Sequence, residues 1–390
     1  MEILFVRLRL CYDINIWGES MQKLKAFCKK EIVLLVSLLL AIGTAFVVRP
    51  DKQYIGYLDF RILAILFSLM AVMAGMTGIG VFHKLAAGLL NRMGNLRQVI
   101  AILVLLCFFT AMFITNDVAL ITFVPFAILV LKLSGHQKYM VRVLVLQTIA
   151  ANLGSMVTPI GNPQNLYLYS LAGMDISEFF KVMLPYTVVS LIVVLVFLGI
   201  QNKQSIAELR LEEGSLQHQE RLPVYIGLFL CCILSVLDIM PYQILFAVVL
   251  AVVGIMDRKA LAKVDYSLLL TFVFLFIFTG NMARIPAIRE LLTGLLTGRE
   301  WEVTLLLSQV ISNVPAAILL SGFTDKYTAI MVGADLGGLG TLIGSMASLI
   351  AYKLYANEAD AQKGKFIGVL FLYSIIFLIP LALMAGSMIY

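Results

Sequence analysis

Apolar residues run along this chain in blocks too long for strands and long enough to cross roughly 30 Å of hydrocarbon as helices. The blocks lie at 32–48, 60–82, 139–170, 179–200, 223–239, 242–256, 265–283, 328–351 and 366–388. Two more stretches, 97–133 and 302–323, carry a polar cluster at mid-length. Each reads as two crossings or as one hairpin that enters and leaves on the same side. The expectation is an all-α polytopic membrane protein with nine full crossings and two re-entrant hairpins.

Polar segments divide this pattern. Residues 1–57 hold a basic N-terminal segment and the first crossing. Met21 is an alternative start, and no small-residue cleavage site follows Ile32–Val48, so that run reads as a retained helix. A first repeat spans 58–200, a cytoplasmic loop 201–222, linking helices 223–263 and a second repeat 264–390. With both interrupted stretches as hairpins and the N-terminus inside, cytoplasmic segments hold Lys84, Arg92, Lys132, Lys138, Lys203, Arg258, Lys263 and Lys363, among others. The other side keeps fewer, such as Arg49, Arg61, Arg284 and Lys326. This bias matches the excess of Lys and Arg in cytoplasmic loops and places the C-terminus outside.

Composition removes the alternatives. Of 390 residues, 61% are hydrophobic and 13% charged, against roughly 45–50% and 25% in soluble domains. The net charge of +6 is dispersed over short loops, so no nucleic-acid surface is expected. Cys107, Cys231 and Cys232 lie in apolar runs without CxxC spacing, so no disulfide framework is expected. GxxxxGKS/T, GxSxG and HExxH do not occur. Neither ATP-driven pumping nor a membrane hydrolase is expected, and no cofactor beyond a coupling ion.

The chain contains itself twice. Leu58-Asp59-Phe60 opens one apolar run and Val264-Asp265-Tyr266 another, 206 residues on. Gly88-Leu89-Leu90 matches Gly294-Leu295-Leu296 at the same offset. The hairpin interruptions follow, Thr115-Asn116-Asp117 and Ser312-Asn313-Val314. Last, Asn152-Leu153-Gly154 with Thr158, Ile160 and Gly161 matches Asp335-Leu336-Gly337 with Thr341, Ile343 and Gly344. The first half begins outside and the second inside, which makes the repeats inverted, as in many secondary transporters.

Polar residues at mid-membrane are costly, about 2.5–3.5 kcal/mol for a central Asp. Thr115, Asn116 and Asp117 suit a helix N-cap, as do Ser312 and Asn313, with Pro315 in the following turn. Each break lets a half-helix start at the midplane with its positive dipole end at the tip. Two such tips offer donors to an anionic solute. In Thr158-Pro159-Ile160-Gly161-Asn162-Pro163-Gln164-Asn165 two prolines and a glycine free backbone carbonyls that suit a hard cation such as sodium. Asn162 and Asn165 join the tips as solute contacts. Gly337, Gly340 and Gly344 loosen the counterpart, although Gly333/Gly337 and Gly340/Gly344 also fit close helix packing. Asp117 is the first candidate for coupling and Asp335 the second, the latter expected beside flexible glycines nearer the membrane edge. Asn152, Thr158, Gly161, Gly337, Thr341 and Gly344 complete the coupling-ion set, for Na⁺ or H⁺. The Gly75–Gly80 run reads as a bend or packing site.

These same motifs resemble the ion transporter superfamily, in its citrate-transporter-like and arsenite-permease branch, related to divalent anion:sodium symporters and to sodium/proton antiporters. The likeness covers about residues 58–390. It implies inverted repeats, two re-entrant hairpins, a homodimer and an elevator-like movement in the cytoplasmic membrane. It also implies that Ser-Asn-Thr tips bind substrate carboxylates beside sodium. Asp117 and Val314 depart from that symporter pattern, and the first tip is closer to permeases and antiporters. The function expected is ion-coupled secondary transport of a small anion or oxyanion. The alternatives are arsenite efflux or sodium/proton antiport, and from a different class a channel.

Overall fold

The computed structural model describes residues 31–91, 93–200 and 216–389. The basic segment before Glu31, Met21, Arg92, Lys203, Arg210 and most of the 201–222 loop therefore lie outside the described residues. The described chain folds into helices only, with no strand among them.

A first crossing, α1 (Ile32–Val47), and a short α2 (Gln53–Tyr57) lead to α3 (Phe60–Ile79). Asp59 caps α3 by accepting from the Ile62 N–H at 3.0 Å, and Gly80 ends it in the left-handed conformation at φ 90°. The span expected to reach residue 82 therefore stops at Ile79, and α4 (Val81–Leu90) turns away. α5 (Leu96–Ile114) and α6 (Asn116–Leu133) fold back on each other across a single residue. Then come α7 (Met140–Ser155), α8 (Pro163–Ala172) and α9 (Ile176–Gly199).

The linking helices are α10 (Leu222–Val236), α11 (Tyr242–Met256) and a short α12 (Arg258–Ala262). The sequence of elements then recurs. α13 (Tyr266–Ala283) is capped by Asp265, which accepts from the Leu268 N–H at 2.9 Å. α14 (Pro286–Leu296), the pair α15 (Glu300–Ile311) and α16 (Asn313–Leu320), and α17 (Tyr327–Gly337), α18 (Met346–Ala356) and α19 (Lys363–Met388) follow. α5 and α6 are 19 and 18 residues long, each about 28 Å and sufficient to cross. α15 and α16, with 12 and 8 residues, are too short. Length separates the two hairpins, whereas their tips are alike.

The halves interlock. α1, which precedes the first half, packs on α13, and α11, which precedes the second, packs on α3. α7 is buried along its whole length except at Arg142, because other helices enclose it on several sides. α5 and α6 lie against it on one side, and α9, α18 and α19 on others. α15 covers α17, and α16 touches both α17 and α8. The outer helices α1, α9, α11 and α19 expose large apolar residues such as Phe46, Val196, Ile255 and Leu383, the surface a lipid phase solvates.

Candidate functional site

Both hairpins turn on one residue. Thr115, between α5 and α6, has φ 70° and ψ 150°; Ser312, between α15 and α16, has φ 75° and ψ 154°. This region is nearly reserved for glycine and costs other residues about 1–3 kcal/mol each. The neighbouring bonds that hold it are matched. The Asn116 N–H donates to Gly161 O at 3.2 Å, and the Asn313 N–H to Gly344 O at 3.0 Å. Neither Thr115 nor Ser312 makes the hydroxyl cap that the sequence suggests, because side-chain capping needs an extended N-cap residue. Asn116 Oδ1 and Asn313 Oδ1 instead accept from the Asp117 and Val314 N–H groups, at 2.9 and 3.0 Å.

The tips dock on two helix breaks. After α7 the chain unwinds through 156–162, and Asn162 Oδ1 restarts α8 by accepting from the Asn165 N–H at 3.2 Å, with Pro163 in the first turn. After α17 it unwinds through 338–345, and Ser345 Oγ accepts from the Ala347 N–H at 3.1 Å to restart α18. Thr158 Oγ1 donates to Met112 O at 2.5 Å and Thr341 Oγ1 to Gln309 O at 3.1 Å, tying each break to the hairpin helix three residues before its tip. A Cβ at Gly161 would lie 2.0 Å from Ser155 O, and one at Gly344 2.7 Å from Gly337 O. Only glycine closes these loops.

The two halves meet at matched residues of α7 and α17. Asn152 Oδ1 accepts from Asn116 Nδ2 and from Ser345 Oγ, both at 3.0 Å, while its Nδ2 donates to Gly338 O at 3.2 Å. A Cβ at Gly338 would lie 3.3 Å from Asn313 Nδ2. Asn116 is bonded to Asn152 and Asn152 to Gly338, and the Asn313 side chain lies beside Gly338. Asp335 answers from the other half: its Oδ1 accepts from Asn162 Nδ2 at 3.2 Å and Gln164 Nε2 at 3.0 Å, and its Oδ2 has no partner. Asp335 is 3% exposed. The amides of Asn162 and Gln164 hold it inside the protein. Asp117 is half-buried beside Asn116, and its Oδ1 is buried without a partner.

Other candidates serve the frame. Asn165 is fully buried and donates Nδ2 to Met156 O at 3.3 Å. A Cβ at Gly337 would lie 2.5 Å from Ser308 Cβ, and one at Gly333 2.4 Å from Trp301 O, so these glycines let α17 lie on α15. In the Gly75–Gly80 run, Gly75 admits the Tyr225 ring. Sequence reasoning missed Gln164, Gln309 and Ser345. The signal for the glutamines was their presence within apolar stretches, where an amide needs a partner.

Helices α6, α8, α16 and α18 all begin here, and α5, α7, α15 and α17 all end here. One place therefore presents positive dipole ends and unwound carbonyls, which suit an anion and a cation respectively.

A family model described as a citrate transporter matches residues 26–325. An uncharacterized transporter of Methanocaldococcus jannaschii is 30% identical over 290 residues, 73% of this chain and 79% of its own. The inner membrane protein YbiR of Escherichia coli is 29% identical over 328 residues, 82% of this chain and 87% of its own. The magnetosome protein MamN of Paramagnetospirillum magneticum is 30% identical over 139 residues, 35% of this chain and 31% of its own. With a multi-pass helical architecture and a family match across most of its length, this chain belongs to the citrate transporter family.

Proposed function

We propose that this protein is an ion-coupled secondary active transporter of the cytoplasmic membrane that carries a small anion, a citrate-like carboxylate or an oxyanion, between its two hairpin tips. The observation that carries this reading is the convergence of Asn116 and Asn313 on Asn152 and Gly338. Thr115, Asn116, Asp117, Ser312 and Asn313 offer hydroxyl, amide and backbone donors to the solute, with Asn162 close by and Asn165 holding the loop beneath. A coupling ion, Na⁺ or H⁺, is taken at the break of the first repeat, at Asp117, Asn152, Thr158 and Gly161; Asp335, Gly337, Thr341 and Gly344 mark the matching break of the second. The repeats are inverted, the N-terminus is inside and the C-terminus outside, and the chain works as a homodimer with an elevator-like movement.

Asp117 favours one second reading. An unpaired carboxylate oxygen at a tip suits a cation as cargo, as in sodium/proton antiport. Uptake of labelled citrate, with phosphate and arsenite in parallel, by purified protein in liposomes under imposed Na⁺ or pH gradients separates the two. Accumulation of citrate or phosphate against its gradient supports the proposal, whereas transport of arsenite alone selects the permease alternative. Cation exchange without anion movement selects antiport, and dissipative flux insensitive to gradients selects a channel. Asn116→Ala and Asn313→Ala each abolish accumulation with the fold intact. If these asparagines only glue helices, the variants instead melt lower and transport normally per folded molecule.

A further inference from the structure

The two breaks share their tip and threonine ties, and the first is also held by Asn165 Nδ2 donating to Met156 O at 3.3 Å. Each is bound by a threonine hydroxyl to the carbonyl of the residue three before the tip, and that residue is Met112 in the first repeat and Gln309 in the second. The Gln309 side chain enters the second break. Its Nε2 donates to Gly337 O at 2.8 Å and Leu339 O at 3.0 Å, besides Leu305 O at 3.2 Å in its own helix. Its Oε1 accepts from the Thr341 N–H at 2.9 Å. Gly340, at φ 119°, makes the room: a Cβ there would lie 2.4 Å from Oε1.

Carbonyls freed by unwinding inside a membrane protein need a partner bearing positive charge, whole or partial. A bound cation is one such partner, and an amide with two polar hydrogens is another. Met112 has no hydrogen to donate, so nothing reaches the first break from that position. The tips differ in the same sense. Asp117 follows Asn116 in the first, with a buried carboxylate oxygen that has no partner, whereas Val314 stands in the second.

We propose that the Gln309 amide occupies in the second repeat the place that a coupling cation takes in the first, so that each chain has one cation site. This rests on the reading that a cation binds at the broken helix of the first repeat. The amide is the second repeat's built-in substitute, and it sets the coupling stoichiometry to one cation per cycle from that pair of sites.

The test is the number of ²²Na⁺ ions bound at saturation by the purified full chain in detergent. Gln309→Ala unplugs the second break, and the near-isosteric Gln309→Glu keeps the acceptor for Thr341 while turning the donor into an oxygen. Wild type binds one ion and each folded variant two; Gln309→Glu carries the test should Gln309→Ala misfold. A wild-type count of two, or a variant count no higher than wild type, overturns the proposal. A rise from none to one upholds the role of Gln309 and refutes only the sodium site of the first repeat, so the two readings fail separately.

Discussion

Thr115 and Ser312 hold backbone conformations, at φ 70° and 75°, that glycine adopts freely. Glycine at either position removes strain of about 1–3 kcal/mol and adds about 0.5–1 kcal/mol of unfolded-state entropy. Thr115→Gly and Ser312→Gly therefore melt no lower than wild type and up to a few degrees higher, while anion accumulation falls because a hydroxyl donor is gone. A lower melting temperature with normal transport would show that these side chains serve the fold alone. Asn152 behaves differently. Its replacement by Ala leaves the Asn116 amide, the Ser345 hydroxyl and Gly338 O short of a partner, each worth about 1–3 kcal/mol when buried. Asn152→Ala loses both stability and transport, read as a lower melting temperature and less accumulation per folded molecule. At this scale the sequence showed where the tips are, because Thr-Asn-Asp and Ser-Asn interrupt apolar runs. It did not show the strained backbone, since nothing in a threonine announces positive φ. Nor did it show Gln309, whose partners beyond its own helix lie 28 to 32 residues away in α17 and the break that follows.

Helices here are set by closeness more than by amphipathic faces. α7 touches α5 so tightly that a Cβ at Gly154 would lie 2.0 Å from Phe108 O, and Gly337 plays the same part between α17 and α15. A backbone carbonyl cannot step aside as a side-chain tip can, so Gly154→Ala must push α5 from α7 and lowers stability by about 1–3 kcal/mol or more. Gly78, on the exposed side of α3, has nothing within 4 Å of a built Cβ. Gly78→Ala is neutral or stabilising by up to about 1 kcal/mol, from helix propensity alone. Thermal unfolding of the two variants side by side checks both signs, and equal behaviour would mean that α5 and α7 are not in close contact. The small-residue spacing of Gly333 and Gly337 foretold packing of this kind. Its partner was hidden, because glycine spacing marks a face without naming what lies on it. The ends of α7 and α17 were legible for another reason: two prolines, or a run of glycines, cannot continue a helix.

Across the whole molecule, contacts between distant loops sort them into two sets. Arg61 pairs with Asp238 at 2.6 Å and Arg284 with Asp51 at 2.9 Å, and Thr293 Oγ1 donates to Phe323 O at 3.3 Å; all of these loops fall on the side that the charge count makes external. On the other side Arg221 meets Asp257 at 3.7 Å, Lys132 pairs with Glu358, and the Gln217 N–H donates to Ile79 O at 3.0 Å. Loop charge is a statement about insertion and these contacts are statements about folded geometry, so their agreement joins two independent arguments. The contacts put the loop at Asp325 and the loop at Ala359 in opposite sets, with α17, the break and α18 as the only described chain between them, and the charge count makes the first of these external. In a background freed of native cysteines, Asp325→Cys in intact cells is modified by a membrane-impermeant maleimide, while Ala359→Cys reacts only after the cells are opened. Both positions are exposed, so silence at Ala359 cannot come from burial in the protein. Were the two to react from the same side, the broken helix would not cross the membrane. The second half would no longer run opposite to the first.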